Sequence, residues 1–150
     1  IIHSYNDKAM NNPILEVINV DEKIKRLGDA ELEIMLVVWE SEEPVTSNYV
    51  LENLHNRRHW KLSTLMTILA RLEKKGFVYC DRSTRTNYYS ALISEKDYKA
   101  KESSSFLEKL YGNSLQNLVT SLYDSNAIND TDLSELSKMI DELGGGKDSV

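Results

Sequence analysis

A chain of 150 residues holds one or two small domains, and 41% hydrophobic and 28% charged residues with two prolines and six glycines describe a globular protein rather than a disordered or fibrous one. The longest apolar run, Ile34-Met35-Leu36-Val37-Val38-Trp39, is too short to cross a bilayer, no charged-then-apolar leader opens the chain, and the single cysteine excludes an internal disulfide framework, so the expected compartment is the cytoplasm. The net charge of -6 hides a segregation: residues 55–86 hold eight Lys/Arg against two acids, a local +6 that leaves -12 elsewhere and concentrates positive field where phosphates could sit.

Residues 1–26 show no clean period and read as an N-terminal extension of unknown role. From Gly28 the pattern sharpens. Gly28 with Glu31 three residues on is a serviceable helix start, and Leu32, Met35, Leu36 and Trp39 mark one face of a first helix over about 29–40. Pro44, Thr46 and Ser47 then punctuate and cap a short second helix carrying Val50, Leu51 and Leu54. After the polar turn Asn56-Arg57-Arg58-His59, a third helix turns Leu62, Leu65, Ile68, Leu69 and Leu72 inward. It ends at Lys74-Lys75-Gly76, where glycine supplies the left-handed cap.

Phe77 to Cys80 and Tyr88 to Leu92 are β-prone runs joined by a polar turn of hairpin length. Three short helices followed by a hairpin describe a winged helix-turn-helix over residues 27–93, with the third helix in the major groove and the wing on the backbone. The fold class expected is therefore mainly α with a small β-hairpin wing.

Helices return over residues 94–143, where Phe106, Leu107, Leu110, Tyr111, Leu115, Leu118, Val119, Leu122 and Tyr123 recur at three- and four-residue steps. Gly112-Asn113 is the expected break. A last helix opens at Asn129, answered by Asp132, and carries Leu133, Leu136, Ile140 and Leu143 until Gly144 to Gly146 end it, leaving residues 144–150 as a tail. Roughly fifty residues of amphipathic helix are too few to enclose a core of their own, so this region is expected to form a homodimer.

On the third helix the positions the core leaves open are Ser63, Thr64, Thr67, Arg71 and Lys74, spaced by three and four. Hydroxyls there suit base edges or phosphates, and Arg71, Arg57, Arg58 and Lys61 suit phosphates above bases. Arg82 and Arg85 in the hairpin turn are minor-groove or phosphate candidates. Taken one at a time, each could equally be a solvated side chain; beside the wing and the local charge, the DNA reading wins. Trp39 and Trp60 read as core anchors rather than stacking platforms, and Cys80 as a small apolar residue on the wing's inner face. His55 and His59 have metal-ligand spacing but straddle a helix end without a partner cluster, so no metal is expected. No phosphate-cradling glycine loop or hydrolase motif occurs, so neither an enzyme nor a cofactor is expected.

The run Gly28 to Met35 through Trp39, the run Thr64 to Gly76, and in the tail Ser105 to Gly112 and Asp132 to Leu136 resemble the BlaI/MecI penicillinase-repressor family over about residues 27–143. The resemblance implies a homodimer on a palindromic operator, repressing β-lactamase or related resistance genes and inactivated by cleavage after a membrane sensor protease detects antibiotic. This chain has Lys61-Leu62 where the family often has Ser-Pro, and its candidate proteolytic site reads Ser121-Leu122 where the best-known members carry Asn-Phe. It lacks the cysteine-rich end of copper-responsive relatives, so copper sensing is not expected. The alternative from another class is a winged helix that binds protein and not DNA, and salt-dependent DNA retention separates the two.

Overall fold

The computed structural model describes residues 24–54 and 59–148, with side chains described as far as Gly145. In chain order these form α1 (Asp29–Glu40), α2 (Ser47–Asn53), α3 (Leu62–Lys74), β1 (Val78–Asp81), β2 (Tyr88–Ala91), α4 (Glu95–Tyr111), α5 (Leu115–Asp124) and α6 (Asp130–Asp148). They fall into two compact units divided at Glu102/Ser103.

The start of α1 is the expected one: Gly28 N–H donates to Glu31 Oε1 at 2.9 Å, the half of a capping box that a glycine N-cap allows. Its buried face, however, is Glu31, Ile34, Met35, Val37 and Val38, while Leu36 is exposed and Leu32 and Trp39 are only partly buried. The stripe is rotated from the expected one because the run from Ile34 to Trp39 is apolar at every position and periodicity cannot choose a face. Thr46 caps α2, accepting from Tyr49 N–H at 3.1 Å. In α3 the buried residues are Leu65, Ile68, Leu69 and Leu72, whereas Leu62, expected inward, is exposed in the first turn. Gly76 at φ +83° stops that helix as expected.

β1 and β2 pair antiparallel in the register Val78↔Ala91, Tyr79↔Ser90, Cys80↔Tyr89 and Asp81↔Tyr88. A further bridge, Val45↔Tyr89, ties the α1–α2 connection to β2 through hydrogen bonds of 2.9 and 2.7 Å. Cys80 is buried on the inner side of the hairpin.

The core draws on both ends of this unit. Ile24, placed in the extension by its sequence, is buried, as is Leu27. Tyr98, near the start of α4, is buried with its ring 5.6 Å from that of Trp39 and edge-on to Phe77 at 5.8 Å. Its hydroxyl accepts from Leu27 N–H at 3.0 Å, and Trp39 Nε1 donates to Ile93 O at 2.9 Å. Residues of α4 as far as Glu102 thus group with the N-terminal unit, beyond the boundary at residue 93 expected from the hairpin's end.

In the second unit Gly112 and Asn113, at φ +53° and +64°, end α4 at the expected break. Ser114 caps α5 by accepting from Asn117 N–H at 3.2 Å. Asn129 and Asp132 cap α6 reciprocally, at 2.8 and 3.0 Å. The helix runs on to Asp148, so the glycines expected to end it lie within it. Glycine lowers helix propensity by only about 1 kcal/mol per residue and forbids nothing sterically.

Candidate nucleic-acid interface

With Leu65, Ile68, Leu69 and Leu72 turned into the core, the opposite side of α3 carries Ser63, Thr67, Ala70 and Lys74, all exposed, with exposed Thr64 and Arg71 on its flank. Each described member of the expected set on α3 is therefore solvent-facing. Thr67 Oγ1 donates to Ser63 O at 3.0 Å, which commits its proton to the helix and leaves its lone pairs and methyl outward. It can accept from a base amino group or touch a thymine methyl. Selection from a randomised duplex pool by Thr67→Ala is expected to change the preferred base at one position per half-site with little loss of overall affinity; unchanged recovered sequences would make Thr67 a spacer.

Lys61 precedes the first turn of α3 and is exposed, and the unpaired N–H groups of that turn add partial positive charge. Lys61 also lines an open hollow of about 410 Å³ with Ala30, His59, Trp60, Thr64 and Ile68. Trp60 is partly buried against the core, as is Trp39, so both act as packing residues. Arg57, Arg58 and His55 lie outside the described residues. Among the described residues no group of three or more His, Cys, Asp or Glu could hold a metal ion, and no helix is long and apolar enough to cross a membrane.

Among the described residues, two of the segment's cations pair with acids of the fold. Lys75 Nζ lies 2.7 Å from Glu31 Oε1, an ion pair with side chains 25% and 6% exposed. It joins the C-terminal end of α3 to the N-terminal turn of α1. Burial pushes the Glu31 carboxyl up, but the hydrogen bonds from Lys75 and Gly28 and the charges of Lys75 and Arg71 outweigh it and hold the group below its ordinary value. Its second oxygen, Oε2, is buried without a hydrogen-bond partner, so the pair depends on Oε1. Arg82 makes two bonds to Glu73, Nη1–Oε1 at 2.7 Å and Nη2–Oε2 at 2.8 Å, and the first effect of this fork is to hold the Glu73 carboxyl below its ordinary value. Sequence places Arg82 among the DNA contacts and gives no sign of Glu31 or Glu73 as partners, because separations of 44 and 9 residues leave no local signal.

The residues expected to pair lie on the helices of the second unit, none of them fully buried. No described residue from Ser103 to Gly145 is buried, and Phe106, Leu110, Leu115, Tyr123, Met139, Ile140 and Leu143 are exposed. Leu107, Tyr111, Leu118, Leu122, Leu133 and Leu136 are half-buried. Ser121 and Leu122 lie inside α5, where Ser121 Oγ accepts from Tyr111 O–H at 3.1 Å and Leu122 O accepts from Ala127 N–H at 2.9 Å. Cleavage there requires local opening of α5.

The family model described as the penicillinase repressor matches residues 27–142. The chain belongs to the penicillinase repressor family. It is 31% identical over 121 residues to the penicillinase repressor of Bacillus licheniformis, covering 81% of this chain and 94% of that one. It is 27% identical over 123 residues to the methicillin resistance regulatory protein MecI of Mammaliicoccus sciuri, covering 82% of this chain and 99% of that one. Among solved structures it is similar to the B. licheniformis BlaI monomer in complex with the blaP half-operator, with 36% identity, 50% of this chain and 90% of that chain covered, and a TM-score of 0.43. The family spans both units, the region the sequence motifs mark out.

Proposed function

We propose that this protein is a DNA-binding transcriptional repressor that works as a homodimer on a palindromic operator of β-lactam-resistance genes. The observation that carries the reading is the exposed polar face of α3, flanked by Lys61, Arg71 and Lys74 and set beside a two-stranded wing, in a chain of the penicillinase repressor family. A helix with this face fits the major groove, and the cations beside it meet phosphates. The gene class follows the relatives, which are named for penicillinase and methicillin resistance. Pairing through the second unit is supported by its apolar surface: helices whose described residues are at most half-buried within one chain gain a core by packing on a second copy. A family of regulators, together with a site of cations and hydroxyls, supports a protein that binds and does not catalyse.

Footprinting on the DNA upstream of the chain's own gene and its neighbours tests the reading, with protection expected over two symmetric half-sites. Arg71 gives the residue-level check. Exposed on the flank of α3, it is expected to meet phosphate, so Arg71→Ala should weaken binding to cognate and random DNA alike and lower the slope of log affinity against log salt by about one. An altered sequence preference at unchanged slope would make Arg71 a base reader instead.

A further inference from the structure

We infer that Arg82 is a positioning residue for DNA binding, pinning the wing to the flank of α3 through Glu73, and that Arg85 is the wing's phosphate contact. The inference rests on the DNA-binding reading above and divides between two arginines a role that sequence assigns to both.

Arg82 immediately follows β1, and Glu73 is the next-to-last residue of α3. On the helix Glu73 stands between the buried Leu69 and Leu72 and the exposed face, so its carboxylate sits where the wing passes the helix. The guanidinium engages both carboxylate oxygens, the fork geometry that fixes orientation as well as distance. Exposed ion pairs usually contribute little, but the exceptions are bidentate pairs between well-placed groups, and the Glu73 side chain is only 32% exposed against 58% for Arg82.

Transfer of Arg82 to a DNA phosphate would exchange one anion for another and strand a half-covered carboxylate beside the negatively charged backbone. Retention of the fork avoids that repulsion and neutralises Glu73 at the edge of the interface. Arg85 is differently placed. It is exposed in the same loop and enters no ion pair among the described residues. The loop around it is shaped by two local bonds, Ser83 N–H to Asp81 Oδ1 at 2.9 Å and Thr84 Oγ1 to Thr86 O at 2.7 Å. A cation on a shaped turn, with no ion-pair partner among the described residues, is available to neutralise phosphate.

The test uses the full chain with random-sequence duplex DNA, measuring affinity against salt, and amide hydrogen exchange of the β1–β2 ladder without DNA. Arg85→Ala is expected to lower the salt slope by about one and leave exchange unchanged. Arg82→Ala is expected to weaken binding several-fold at unchanged slope and speed exchange of the ladder amides. The charge-swapped pair, Arg82→Glu with Glu73→Arg, should restore slow exchange and most of the affinity that Arg82→Glu alone loses. A slope lowered by about one in Arg82→Ala, with no rescue by the swap, would make Arg82 a phosphate contact and overturn the inference. If the wild-type chain shows no salt-dependent retention, the DNA-binding reading fails. The exchange data then decide the latch alone: ladder amides unaffected by Arg82→Ala would sink it.

Discussion

A chain stopped after Asp124, which removes α6 whole, is expected to bind a full two-half-site operator about 10²- to 10⁴-fold more weakly than the intact protein while its N-terminal unit stays folded. Leu133, Leu136, Ile140 and Leu143 leave with the helix, and with them a large share of the second unit's apolar surface, where Leu143 is 68% exposed in the single chain. The remaining Leu110, at 66% exposure, and Leu115 lack the rest of the surface that would cover them in a pair. Monomers then reach the two half-sites independently, and the gain from tethering is lost without any change in the groove-facing residues. The N-terminal unit is insulated from the cut because its core is complete by Tyr98. Sedimentation and an operator gel shift check both halves of the expectation. A truncated chain that remains dimeric and binds the full operator as tightly as the intact one would move the pairing surface elsewhere.

What the sequence revealed was local. The start of α1, the cap at Gly76, the break at Gly112-Asn113 and the reciprocal cap at Asn129 and Asp132 each rest on residues within a turn of one another, and each stands where the spacing places it. The exposed polar set on α3 is readable for the same reason, since the stripe of Leu65, Ile68, Leu69 and Leu72 leaves only one opposite face. What escaped depends on distant partners. Ile24 and Tyr98 join the core through contacts that span the unit, with Leu27 and Tyr98 separated by 71 residues. Val45 bridges to Tyr89 from a connection with no strand pattern around it. The basic segment holds eight cations by count, yet Lys75 and Arg82 are engaged by acids of the fold, and a count of charges carries no information about pairing. The faces of α1 and the first turn of α3 differ from the periodic expectation at Leu36 and Leu62, where apolar residues at the edge of a stripe satisfy the period whether they are buried or not.

Lys75→Met is expected to destabilise the N-terminal unit by about 1–3 kcal/mol at pH 7, less than the loss from a fully dry pair because Lys75 is itself 25% exposed. The substitution keeps the aliphatic stem and removes the ammonium, so Glu31 keeps a carboxylate 6% exposed with Gly28 N–H as its remaining hydrogen-bond donor. In the intact protein the folded Glu31 pKa lies below its ordinary value, so the unfolded chain takes up the proton first as pH falls. The group therefore contributes stability above the unfolded carboxyl pKa of about 4.3, and that contribution is lost as pH drops through the lower folded value. Without Lys75 the lowering hydrogen bond and charge are gone while the burial that pushes the pKa up remains, so the folded value rises and the contribution at neutral pH shrinks. A protonated Glu31 has little use for a cation. The stability gap between intact and Lys75→Met protein should accordingly be widest near neutrality and narrow as pH falls below about 4, whereas an aliphatic packing defect would give the same gap at every pH. Urea unfolding of both chains across that range decides the matter, and a gap that does not change with pH would show that the loss comes from how the methionine packs at the end of α3 and not from the missing charge.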